Sequence, residues 1–180
     1  NGIARWTSNF TPPSSPYGKV ATVTSQKKFG AASGEFKGSG EYLSLADSDD
    51  WNFGSGDFTI DFWFRRVDTN NRDLVTQKDA GFNVATSNIL IGVWGGYPYA
   101  RFSKGSAWAL IDGTTAISKD TWYHYALVRN GNTLTEYIDG TSDATADVTG
   151  VTGVNAAELL KVGTGIYGDH NGSIDELRIS

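Results

Sequence analysis

The carboxylates are the first side chains here that could do chemistry. Cleaving a glycosidic bond with retention needs two carboxyls about 5 to 5.5 Å apart, one as nucleophile and one as acid. In Thr-Glu-Tyr-Ile-Asp-Gly, Glu136 and Asp139 fall on opposite strand parities, and in Ser-Ile-Asp-Glu-Leu-Arg, Asp175 and Glu176 are adjacent. Neither pair can face one substrate locally, because successive strand residues point to opposite sides. The two histidines add no case for catalysis: His124 reads as a half-buried, hydrogen-bonded strand residue among aromatics, and His170 sits in the polar loop Tyr167-Gly-Asp-His-Asn171. No zinc-type histidine spacing and no serine elbow occurs, and with no cysteine the chain can form neither a disulfide nor a thiolate metal site. The catalytic set is therefore read as none.

Metal chemistry has a softer claim. Asp47, Asp49 and Asp50 lie close together in Leu-Ala-Asp-Ser-Asp-Asp-Trp and offer the hard oxygen donors that calcium takes. The order of an EF-hand loop is missing. The same stretch also reads as Ser48 or Asp49 capping one helical turn that carries Trp51 and Phe53. Asp175 shares parity with Leu177 and Ile179, which puts it on the core side of the last strand. A carboxylate there needs backbone donors, a cation or a basic partner.

Ring surface is the third possibility. Trp94-Gly-Gly-Tyr-Pro-Tyr99 sets three large aromatics around a turn. Ile89, Ile91 and Val93 share one parity and Ala100 and Phe102 continue that apolar face, so Trp94, Tyr99 and Arg101 should lie away from the core. Exposed rings beside polar groups suit a sugar, whose C–H face stacks while its hydroxyls bond. Two readings stay open: Trp94, Tyr97, Tyr99 and Arg101 meet a glycan, or the rings fold back and seal the sandwich. Trp108, Tyr167, Asp169, His170 and Asn171 are further loop candidates, since rigid β scaffolds carry function on loops.

The elements that must hold these groups are strands. The 180 residues include 22 glycines and 13% aromatics, with short apolar runs set between turn residues. That is an all-β composition large enough for one domain over 1–180. Phe58, Ile60, Phe62 and Phe64 share one parity and Thr59, Asp61, Trp63 and Arg65 the other. Residues 122 to 129 and 132 to 139 flank Asn130-Gly131, a hairpin signal of type I′. Closing that turn pairs Arg129 with Asn132, Leu127 with Leu134, Tyr125 with Glu136 and Tyr123 with Ile138. It also predicts a structural hydrogen bond from Tyr125 to Glu136. Further strands are expected at 40–46, 73–77, 82–85, 89–94, 99–103, 107–111, 158–163 and 173–179, and residues 1–27 are read as an irregular strap, set by Pro12, Pro13 and Pro16, plus the first strand. So many short strands give a two-sheet antiparallel sandwich.

Charge and hydropathy narrow the partners. The net charge of −5, without a basic cluster, argues against nucleic acid. No apolar run is long enough to insert in a membrane as a helix. The absence of methionine, initiator included, leads to the expectation of a domain excised from a larger protein with flanking domains.

Four segments in order, "KKFGAASGEFKGSGEYLSL", "GSGDFTIDFWFRR", "TWYHYALVRNGNTLTEYIDG" and "GSIDELRIS", resemble the signatures of the LamG-like jelly-roll family within the concanavalin A-like lectin and glucanase superfamily. The resemblance runs from about residue 28 to the end. It implies a jelly roll of two curved sheets, usually a non-catalytic module of a secreted, cell-surface or phage structural protein. Such modules bind glycans, bind proteins or space other domains. "SDDWNFGSGDFTIDFW" is also similar to tail-fibre and adhesin modules of phages. The laminarinase-type glucanases of that superfamily carry a Glu-x-Asp-x-Glu strand that is absent here, and Glu136 stands where the family usually has an aliphatic residue. Calcium often occupies a peripheral site in similar modules, so a structural Ca2+ with Asp175 as a ligand is an implied expectation. The function expected is carbohydrate binding outside the cell or on a virion surface, with an adhesion module as the alternative and a glycan-cleaving enzyme third.

Overall fold

A computed structural model of the chain describes residues 4–5 and 20–180. Of the strap and first strand expected over residues 1–27, residues 1–3 and 6–19, which include the three prolines, lie outside the described residues. The first sheet runs, edge to edge, β12 (Thr141–Asp147), β11 (Thr133–Ile138), β10 (Trp122–Asn130), β5 (Phe58–Arg66), β14 (Asn171–Ile179), β3 (Ser33–Lys37) and β2 (Ala21–Val23), with the short β1 (Ala4–Arg5) beside β14. The second sheet runs β4 (Leu43–Leu45), β13 (Leu160–Val162), β6 (Arg72–Gln77), β7 (Ile89–Trp94), β8 (Tyr97–Ser103) and β9 (Trp108–Asp112). Every recorded pairing is antiparallel. This is the jelly-roll sandwich expected from the sequence.

Alternation builds the core. Phe58, Ile60, Phe62 and Phe64 of β5, with Tyr125 and Leu127 of β10 and Ile174 of β14, meet Ile89, Ile91 and Val93 of β7 and Ala100 and Phe102 of β8. Each side chain of this size contributes roughly 1.5 to 3 kcal/mol when fully buried. With that parity spent on the core, Asp61, Trp63 and Arg65 must stand on the outer face of the first sheet.

The β10–β11 hairpin closes one residue later than the sequence reading has it. Asn130 pairs with Thr133, Leu127 with Glu136 and Tyr125 with Ile138, so Gly131 and Asn132 are the turn. Gly131 has φ 57°, while Asn132 is not in the positive-φ region. Positive φ at the first central residue alone is the type II′ pattern rather than I′. The slip moves each partner by two residues, which preserves the faces. Tyr125 and Glu136 are therefore diagonal neighbours, and the expected bond forms, with the Tyr125 hydroxyl 2.8 Å from Glu136 Oε2.

Two other segments depart from expectation. Residues 82–85 form no strand: Phe82 has φ 56°, and the Asp79 carboxylate gathers the Asn83 N–H and the Thr86 hydroxyl into a compact loop. Strands β3 and β12 have no counterpart in the sequence reading, whereas β2 lies in the 1–27 segment expected to hold the first strand; β12 is a polar edge strand and β3 holds only one large apolar residue, Phe36. At 49–51 the capping reading holds, with Ser48 as N-cap of a 3-10 turn, Asp49–Trp51, its hydroxyl accepting from the Asp50 N–H.

Candidate binding surfaces

Register on the outer face of the first sheet brings together residues that are far apart in sequence. Trp63 of β5 lies opposite His124 of β10 and Asp175 of β14, and Asp61 lies opposite Arg178. Asp175 is not on the core side, as its parity with Leu177 and Ile179 implies. Register shifts between Asp175 and Arg178, where Glu176 has φ 52°, and the extra residue of such a bulge reverses which side the following residues face. Leu177 and Ile179 point inward, and Asp175 points out.

That carboxylate is nonetheless buried, because the chain folds over it. Asp175 accepts the backbone N–H groups of Lys28 and Phe29, each at 3.0 Å, and that of Glu176 at 3.0 Å. The anchor lays residues 28–29 across the sheet. Phe29 then stands edge-on to Trp63 at 5.5 Å, and the Lys28 ammonium lies 4.1 Å from the Trp63 ring centroid. His124 is 5.1 Å from the same ring. Asp139 ties the far side by accepting the His124 N–H at 2.8 Å and donating its own to the His124 carbonyl at 2.8 Å.

Two adjoining hollows result, both walled by Trp63 and His124. One, of about 500 Å³, is completed by Lys28, Trp122, Asp139 and Gly140. The other, of about 320 Å³, is completed by Phe29, Asp61, Glu176 and Arg178. Asp61 is almost fully buried; its burial works to raise the carboxyl's pKa, but hydrogen bonds from His124 and Arg178 outweigh it and hold the group below the usual range. Arg178 reaches it at 2.7 Å and His124 at 3.3 Å. An ionised, already paired carboxylate is a fixed acceptor, not a proton donor. The hollow thus offers indole faces with donors and acceptors at the rim.

The aromatic turn forms a second surface at the end of β7 and β8. Trp94 and Tyr97 are cross-strand partners flanking Gly95 and Gly96, whose φ values of 59° and 89° are those a type I′ turn requires. They are 50% and 47% exposed, and Tyr167, 38% exposed, stands edge-on to Trp94 with ring centroids 4.4 Å apart. Tyr99 does not join them at the surface: it is only 2% exposed. Its parity is as read, away from the inter-sheet core, but residues 163–170 lie across that face. Asp73 holds them there, accepting the Tyr99 hydroxyl and the Tyr167 N–H, the latter at 2.6 Å. Burial raises the pKa of Asp73 and, together with Asp73, that of Tyr99.

The remaining candidates have other partners. Arg101 pairs with Asp112 at 2.6 Å, and Trp108 stacks on Phe82 at 4.8 Å. Asp169 accepts from Gly40 N–H at 2.8 Å and the Thr164 hydroxyl, and Asn171 donates to Asp68 at 2.9 Å. His170 is wholly enclosed against Phe36 rather than presented on a loop. Burial pulls its pKa down to about 4, and neither ring nitrogen has a hydrogen-bond partner of normal geometry.

The four aspartates proposed for calcium do not converge. Asp47 faces the Gln77 amide at 3.4 Å, Asp50 takes the Ser48 hydroxyl at 3.1 Å, Asp49 opens the 3-10 turn, and Asp175 is filled by three backbone donors. Among the described residues no three acidic or histidine groups cluster as a metal site.

Comparison with known proteins gives the fold a context. No curated protein matches the sequence. The sequence profile of the Concanavalin A-like lectin/glucanases superfamily matches residues 37–180. Among solved structures, the chain is similar to the binding domain of Paraclostridial Mosquitocidal Protein 1, with TM-score 0.72 and 17% identity over 91% of this chain and 42% of that one. It is similar to mouse laminin alpha1 chain domains LG4-5, with TM-score 0.68 and 17% identity over 82% and 40%. It is also similar to domain 4 of a GH43 extracellular arabinanase from Geobacillus stearothermophilus, solved with arabinotriose, with TM-score 0.67 and 19% identity over 99% and 80%. The chain spans about two fifths of the first two structures.

Proposed function

The chain belongs to the Concanavalin A-like lectin/glucanases superfamily, and from that premise we propose that it is a non-catalytic carbohydrate-binding module with its saccharide seated over Trp63. The observation that carries this reading is the hollow itself. Trp63 and Trp122 offer apolar ring surface, while Asp139, Glu176, Lys28 and Arg178 ring it with acceptors and donors. A pyranose or furanose needs that combination, since stacking supplies affinity and placed polar groups supply orientation. A relative in fold that is solved with arabinotriose supports the ligand class. The module is part of a larger protein acting outside the cell or on a virion surface, a setting that suits a surface built to hold a glycan.

The test is a panel of immobilised glycans probed with the wild-type chain and with Trp63→Ala. Binding to a defined subset, weakened about 30-fold by Trp63→Ala at little change in melting temperature, is the expected result; that ratio corresponds to about 2 kcal/mol, as for a central aromatic hot spot. Equal binding by both proteins, or no binding by the wild type across the panel, would remove the reading.

A further inference from the structure

The aromatic turn is held in place by residues outside the inter-sheet core cluster. Trp94, Tyr97 and Tyr167 each leave 38% or more of their surface in water. Yet a wholly buried carboxylate is committed beneath them: Asp73 fixes the Tyr167 backbone and the Tyr99 hydroxyl, and Tyr99 in turn touches Tyr167 with centroids 5.8 Å apart. The Tyr99 ring lies over Gly92, where an added Cβ would come within 2.7 Å of it. Asn71 accepts the Gly95 N–H at 2.8 Å and so fixes the turn from the other side. A rigid support under exposed rings is the arrangement of a preorganised binding surface.

We infer that Trp94, Tyr97 and Tyr167 form a second saccharide site, separate from the hollow over Trp63, for one or two rings of a neutral sugar. Size decides the class of ligand. Aromatic residues of this kind present about 150 to 250 Å² each, so three that are roughly half exposed offer on the order of 300 Å². A stable protein interface needs about 800 Å² from each partner. The Trp94 and Tyr167 rings meet at 67°, which makes a corner with one wall for a sugar's C–H face and another for its edge. Charge decides the sugar: Arg72 and Asp68, the ions beside the turn among the described residues, are paired with each other at 2.5 Å, so neither is free to attract a charged sugar. The two sites lie on opposite sheets, so two sugar segments can be held at once.

Calorimetric titration with arabinotriose and with neutral oligosaccharides of xylose, glucose and mannose, on the wild type and on Trp63→Ala, Trp94→Ala and Tyr97→Ala, separates the two sites. Two sites per chain in the wild type, with one removed by Trp63→Ala and the other weakened tenfold or more by Trp94→Ala and by Tyr97→Ala, is the expected result. Tyr97→Ala keeps the test sound if Trp94→Ala folds poorly, because Tyr97 makes no ring contact among the described residues. If Trp63→Ala abolishes all binding, or if both turn variants bind as the wild type does, the second site is overturned and the hollow stands. If the turn variants lose all binding and Trp63→Ala loses none, the turn stands and the hollow reading fails. Turn variants that bind every sugar normally but no longer retain a protein partner overturn the saccharide assignment.

Discussion

Tyr125 donates its hydroxyl to Glu136 at 2.8 Å inside the sandwich, from adjacent strands, with no water-exposed surface on either side chain. The other carboxyl oxygen, Oε1, is buried without a partner. A carboxylate so placed pays for desolvation with a single hydrogen bond, and burial pushes its pKa up to about 8.

The pH dependence follows from that rise. The folded chain holds a proton on Glu136 that the unfolded chain gives up above about pH 4.5, so this group's contribution to stability falls as pH climbs from there to about 8. The slope is about 1.4 kcal/mol per pH unit at most. Glu136→Gln removes the titration, and we expect its melting temperature relative to wild type to improve steadily between pH 5 and 8. A difference that does not change with pH would show that the carboxyl is ionised in the folded chain.

His170 acts in the opposite direction. Its pKa falls from about 6.5 to about 4 on folding, so the unfolded chain binds the extra proton between those values and stability drops as pH is lowered through that window. The neighbouring charges that bear on it are Arg66, Arg72 and Asp68. Because the two effects oppose each other between about pH 4.5 and 6.5, each must be read as variant against wild type. His170→Leu should lose the acid-side decline, seen as a melting temperature that falls less than that of wild type from pH 6.5 to 4.

Asp175 is the anchor of the strap over Trp63. Asp175→Ala strands three backbone N–H groups, and we expect it to cost about 3 kcal/mol of stability. The local effect should exceed the global one. Trypsin should cut after Lys27 or Lys28 at least tenfold faster in the variant under native conditions, whereas equal cleavage would mean that residues 28–29 are held by something else.

Much of the fold was legible because it rests on local alternation. Phe58 to Phe64 announce which side of β5 is core, and that parity placed Asp61 and Trp63 outside. The hollow was not assembled from sequence because its members meet only through pairings of β5 with β10 and β14, which join residues about 60 and 110 positions apart. One bulge residue, Glu176, was enough to put Asp175 on the wrong face. Tyr99 illustrates a different limit: its parity was read correctly, but exposure depended on a distant loop held down by Asp73. Trp94 and Tyr97 were legible as ring surface isolated by turn residues, and Tyr167 as a loop residue, but the sequence left open whether the rings stand out or fold back, and only the structure shows them half exposed.

The most direct test of the account is to follow the indole N–H resonances of the chain's six tryptophans while titrating a glycan that the panel identifies. Trp63 and Trp122 should shift in proportion to occupancy, while Trp51, buried in the core with its indole N–H bonded to the Ala46 carbonyl at 3.2 Å, should stay fixed. Saturable binding that leaves the Trp63 and Trp122 signals unmoved would contradict the assignment of the sugar site to the outer face of the first sheet.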